Sequence, residues 1–135
     1  MIAWKDEYST GMLDIDAQHK ILINYINNLE EIILSQKYSV VCVSNILDYL
    51  GSYGKNHFHY EEKCMTEKHC PVAEQNKSEH DKFVKQLATY FERLKNEKNL
   101  AVFVKDLHDW TNEWLLDHIC KVDTKLRECV HNKNF

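Results

Sequence analysis

Apolar residues recur at helical spacing along almost the whole chain, and only one proline and three glycines interrupt them. A period of 3.6 residues commits a segment to helix rather than strand. Four stripes can be traced. The first is His19, Leu22, Ile26, Leu29 and Ile33. The second is Val43, Ile46, Leu50, Tyr53, His57, Glu61 and Cys64. The third is Asn76, His80, Phe83, Leu87, Tyr90 and Leu94, and the fourth is Leu107, Trp110, Trp114, His118, Val122 and Cys129. Breaks fall near Gln36 to Ser39, Lys68 to Pro71 and Asn96 to Asn99. Pro71 suits the first turn of a new helix.

Four helices of about 20 to 30 residues with short loops predict an all-α, up-down-up-down four-helix bundle. Residues 1–13, with Trp4, Tyr8 and Gly11, are expected to form a non-helical arm folded over it. The bundle should run from about 15 to 131, and 135 residues suit one domain with a single core, 1–135.

The charge pattern narrows the function. A net charge of −4 with no basic block argues against a nucleic-acid partner. No apolar run is long enough to span a membrane, and the N-terminus lacks the pattern of a secretory signal. A cytoplasmic protein, monomeric or weakly self-associating, is therefore expected. The five cysteines, Cys42, Cys64, Cys70, Cys120 and Cys129, are odd in number and include no Cys-x-x-Cys pair. They are expected as reduced thiols without a thiolate zinc site.

Each stripe carries a metal-ligand type of residue, and the bundle can be tested by counting. With the first break near 38, His19 lies 19 residues before it and His57 19 after. With the second near 69, His57 is 12 before and His80 is 11 after. With the third near 98, His80 is 18 before and His118 is 20 after. At about 1.5 Å per residue these offsets are below one helical turn. A lone histidine on an apolar face is more often a hydrogen-bonded core residue than a ligand. Four histidines at one height, one per helix, are hard to explain by packing.

Glu61 follows His57 by four residues and shares its face. Asp123 follows His118 by five, about 140° around an ideal helix, and needs side-chain reach or a π-type distortion. Two carboxylates in a core are costly unless a cation is near. Imidazole with carboxylate suits iron, manganese or zinc. His59, His69, His108 and His131 lie off the stripes or in breaks and are read as solvated. Phe58, Trp110 and Trp114 are read as core residues that can also wall a metal pocket.

These residues resemble the hemerythrin family, in particular its single-domain bacterial members, over nearly the whole chain. The resemblance rests on the arm with Trp4, Tyr8 and Gly11, and on Asp14-Ile15-Asp16-x-Gln18-His19-Lys20. It continues through His57-Phe58-x-x-Glu61-Glu62 with Met65, His80-x-x-Phe83, and Trp114-Leu115-x-x-His118-Ile119-x3-Asp123. It implies a non-haem site of two iron ions, oxo- or hydroxo-bridged, that binds dioxygen reversibly. By that resemblance His19 and His57 hold one iron, His80 and His118 the other, and Glu61 and Asp123 bridge them. Leu22, Phe58, Trp114, Leu115 and Ile119 would line the dioxygen pocket.

The family pattern has His-x3-His where this chain has Asn76-x3-His80. Four outcomes are open: ligation by the Asn76 oxygen, a water in its place, another residue swinging in, or a loosely held second iron. Three functions stay in play: an oxygen carrier, store or sensor, more in keeping with the resemblance than an enzyme; a di-iron enzyme consuming peroxide, dioxygen or nitric oxide; and a module sensing iron or redox state through its cysteines.

Overall fold

The computed structural model describes residues 1–131, with side chains as far as Cys129. The four expected helices are α1 (Leu13–Ser35), α2 (Val40–Glu67), α3 (Ala73–Lys95) and α4 (Leu100–His118). A π turn, Ile119–Asp123, and a short α5, Lys125–His131, follow. Helix α1 packs against α2 and α4, and α2 packs against α3, in an antiparallel four-helix bundle. Among the described residues no helix is long and apolar enough to cross a membrane.

The breaks have local causes. Ser39 accepts from the Cys42 amide and Asn99 from the Val102 amide, each satisfying a donor left free at a helix start. Helix α1 ends on Gln36 in the left-handed region, φ 58°. Pro71 differs from expectation: it sits in the turn ahead of α3, whose first helical residue is Ala73. His69, φ 53°, reverses the chain there, so the helix starts later.

The arm docks as expected, with one 3₁₀ turn at Asp6–Tyr8. Tyr8 is buried in the core and meets Trp4 edge-on at 5.7 Å. Asp16 fixes the arm to α1, accepting from the Thr10 amide at 2.8 Å and from the Ser9 hydroxyl at 2.7 Å. Gly11 needs its glycine: its φ is +82°, a conformation other residues adopt only with strain.

Two apolar clusters fill the interior. The larger includes Leu22, Ile26, Leu47, Leu50, Phe83, Phe103 and Leu107; the smaller is Ile15, Cys64, Met65, Cys70 and Leu126. Truncating a fully buried ring such as Phe103 to alanine costs about 3–5 kcal/mol. The boundary between the clusters falls at His19 on α1 and Glu61 on α2, so the polar layer is clamped between two dry ones.

The thiol expectation is corrected at one pair. Cys70 and Cys129 form a disulfide, Cα atoms 5.6 Å apart and 59 residues apart in sequence. The fourth stripe does not continue to Cys129 as one helix. The π turn interrupts it before α5, and Cys129 reaches the α2–α3 turn at the end of the bundle where α4 arrives. Cys42, Cys64 and Cys120 are free, with Cys64 alone of the three buried.

Candidate metal centre

Each helix delivers its part of the polar layer. His19 comes from α1, His57 and Glu61 from α2, Asn76 and His80 from α3, His118 from the end of α4, and Asp123 from the π turn. All seven side chains are buried, Glu61 at 0 % exposure and Asp123 at 1 %. A regular helix would turn Asp123 away from His118. The π turn's wider bonding, with Thr124 N donating to Ile119 O at 3.0 Å, brings a residue five positions on back to the same side. Asp123 Oδ1 thereby lies 3.0 Å from His118 Nε2.

The donor atoms form two groups. His19, His57, Glu61 and Asp123 make one, and Glu61, His80, His118 and Asp123 the other. Within each group, one ligand-type atom per residue lies within 4.8 Å of every other. Both carboxylates belong to both groups. Glu61 Oε2 is 3.1 Å from His19 Nε2 and 3.4 Å from His57 Nε2, while its Oε1 is 3.3 Å from His80 Nε2. Asp123 Oδ2 is 3.1 Å from His19 Nε2.

The proton positions decide what fits here. His80 Nδ1 and His118 Nδ1 face carboxylate oxygens of Glu62 and Glu79, each at 3.0 Å. An ionised carboxylate only accepts, so these Nδ1 atoms carry protons. In the neutral rings both Nε2 atoms then turn lone pairs inward, and they lie 2.9 Å apart. Asn76 Oδ1 adds another lone pair, 2.8 Å from His118 Nε2. Donors this close need a proton or a cation among them. Glu61 Oε1 and both Asp123 oxygens also lack a properly directed hydrogen bond despite full burial. The donor set therefore fits a pair of metal ions of the imidazole–carboxylate kind.

The titration behaviour has the same sense. Burial alone would lower His19, but the Asp123 and Glu61 carboxylates outweigh it and push it up to about 9. Burial also opposes protonation of His118, yet Asp123 and Glu61 push it up to about 11. One histidine in each group is thus held positive. Burial would raise Glu61, but four histidines around it hold it well below the usual carboxylate range. His57 is lowered, chiefly by burial. The layer attracts positive charge at two places.

Aromatic rings close one side. Phe58 stacks on His80, centroids 3.9 Å apart and planes 11° apart, and Trp114 stacks on His118 at 4.6 Å and 12°. Both rings also wall an apolar cavity of about 10 Å³, among Leu22, Leu50, Gly54, Phe83 and Leu115.

A hemerythrin HHE cation-binding domain matches residues 10–129. The chain belongs to the hemerythrin family. Its relatives include the bacteriohemerythrin of Methylococcus capsulatus, 30% identical over 92% of each chain. That of Stenotrophomonas maltophilia is 28% identical over 88% of this chain and 74% of the relative. A crystal structure of wild-type hemerythrin superposes with a TM-score of 0.81 at 28% identity, covering 96% of this chain and 98% of that one.

Within this hemerythrin domain all six expected ligand residues converge, and Asn76 joins them through its oxygen. Of the expected pocket residues, Leu22, Phe58, Trp114 and Leu115 line the cavity, while Ile119 is buried in the same core. His59 and His69 are exposed and His108 is partly so, beside Asp109; the side chain of His131 lies outside the described residues. The stripes assign no role to Gln18, Glu62 or Glu79. Each instead holds the outer nitrogen of a ligand-type histidine, with Gln18 Oε1 2.6 Å from His57 Nδ1. The signal was available, because each precedes a histidine or follows Glu61 by one residue and so points beside the inward face.

Proposed function

We propose that this chain is a non-haem di-iron protein that binds dioxygen reversibly, as carrier, store or sensor. The observation that carries the reading is the pair of four-residue groups sharing Glu61 and Asp123 beside an apolar cavity. His19 and His57 would hold one iron; His80, His118 and the Asn76 oxygen would hold the other; Glu61 and Asp123 would bridge. When bound, two ferrous ions supply two electrons that a dioxygen molecule can accept and return. The chain's own groups make that exchange reversible. Leu22, Phe58, Trp114 and Leu115 exclude bulk water, which keeps stray protons and competing ligands away. Glu61 and Asp123 neutralise part of the added positive charge in a buried place.

Asn76 favours a second reading on one point. Its amide oxygen is a weaker donor than imidazole, so the iron beside His80 and His118 would exchange that position more readily. An exchangeable position there suits an enzyme that consumes peroxide, dioxygen or nitric oxide. One experiment separates the two. The protein is loaded anaerobically with ferrous iron, its iron counted, and dioxygen admitted and then removed. A charge-transfer band that appears and disappears, with about two irons per chain, supports the carrier. Irreversible oxidation with turnover of peroxide supports the enzyme. Less than about half an iron per chain after reconstitution would sink both.

A further inference from the structure

The two ligand groups are not backed alike. Behind His80 and His118 stand two carboxylates, Glu62 Oε2 and Glu79 Oε1, each 3.0 Å from the ring's Nδ1. Glu79 is itself oriented by Gln75 Nε2 at 2.9 Å. Behind His57 stands only the neutral amide of Gln18. His19 Nδ1 is buried with no hydrogen-bond partner. Both charged acceptors therefore serve the group that contains Asn76, and neither serves the other.

The chemistry of that asymmetry is general. A carboxylate accepting the Nδ1 proton fixes the tautomer, aims the ring and pushes electron density onto Nε2. Such an imidazole binds a metal ion more tightly than one backed by an amide. Besides the two shared carboxylates, the group beside Asn76 has two strong nitrogen donors and one weak amide oxygen. Its deficit lies in donor strength, and carboxylate-backed imidazoles supply that.

Resting on the di-metal reading above, we infer that Glu62 and Glu79 are positioning residues that keep the metal beside Asn76 bound. They strengthen His80 and His118 enough for two imidazoles and an amide to hold it. The opposite group shares the same two carboxylates, Glu61 and Asp123, and has only the neutral Gln18 behind His57.

The metal-free full-length protein is titrated with zinc against a chromophoric chelator, which resolves the two binding events without any redox activity. Glu62→Gln and Glu79→Gln keep an acceptor oxygen and remove the charge. Each should weaken one event by about tenfold or more and leave the other unchanged. Adding Asn76→His to the double Gln variant should restore the weakened event, because a third imidazole replaces the lost donor strength. Gln18→Ala should weaken the opposite event. Equal weakening of both events, or no weakening, would overturn the inference, as would failure of Asn76→His to restore binding. A wild-type protein that binds a single zinc ion would instead overturn the di-metal reading itself.

Discussion

Asn76 points its amide oxygen at Nε2 of His118, 2.8 Å away, and leaves its own Nδ2 buried without a partner. Turned the other way, the amide would offer a donor to the nitrogen and bury an orphan oxygen. With His118 held positive, its Nε2–H donates to that oxygen, and the same inward oxygen can face a cation once the proton leaves. An unpartnered buried amide donor costs about 1–3 kcal/mol, so the arrangement gives up stability at this position.

Replacing the amide with the missing imidazole should therefore change the metal chemistry. Asn76→His is expected to slow autoxidation of the iron-loaded protein and to raise retention of the second iron under chelator challenge. The decay of the oxygenated absorption band, followed with time, measures the first. Identical decay in the two proteins would separate position 76 from control of the second iron.

The cavity gives an independent handle. Gly54 is buried in the middle of α2, and a Cβ built there meets nothing within 4 Å. Gly54→Ala should stabilise the fold by about 0.5–1 kcal/mol, through helix propensity alone. Gly54→Leu should occupy the space bounded by Leu22, Phe58 and Trp114 and slow dioxygen uptake. Thermal melts read the first effect and stopped-flow mixing the second. An unchanged uptake rate in the leucine variant would rule out this cavity as the route.

The disulfide should hold the end of the site in place. Cys129 anchors α5 to the α2–α3 turn, and α5 directly follows the π turn that aims Asp123. Closing a 59-residue span restricts the unfolded chain by about 4 kcal/mol in the loop-entropy picture. Cys129→Ser, or reduction of the wild type by a dithiol, should lower the melting temperature and speed iron loss to a chelator. A variant that melts and retains iron as the wild type does would place the bond outside the stability of the site.

Much of this was legible in the chain. The stripes gave the helices because long runs without glycine or proline leave 3.6-residue periodicity as the dominant constraint. The height count worked because the loops are short, so residue number translates into position along the axis. Asp123 announced a distortion through its spacing, and the π turn supplies it. What escaped depended on three-dimensional adjacency that periodicity does not encode. Cys129 and Cys70 meet at the end of the bundle that α5 and the α2–α3 turn share, while the odd cysteine count pointed away from a bond there. Glu79 on α3 reaches His118 on α4, a partner that its place one residue before His80 does not reveal. Gly54 carries no signal in the stripe pattern, since an empty space beside a helix leaves no mark there.

The metal-free protein, prepared by chelation, should show a stability optimum in mildly acidic solution. His19 and His118 are raised to about 9 and about 11 from 6.5. Groups raised on folding contribute stability that is fully present below about pH 6.5 and lost as pH rises through their folded values. Glu61 is depressed, so its contribution is present above about pH 4.5 and lost as pH falls through its lowered value. His57, lowered by burial, opposes the trend below pH 6.5. Stability should thus fall as pH rises from about 6.5 towards 11, the reverse of a protein whose histidines are simply buried neutral. Metal binding must displace the two held protons, so loading at pH 7 should release about two protons per chain. Urea melts of the metal-free protein across this range test the first expectation, and calorimetry in buffers of different ionisation enthalpy tests the second. A stability that rises from pH 6.5 to 9 would mean the carboxylates do not hold His19 and His118 positive.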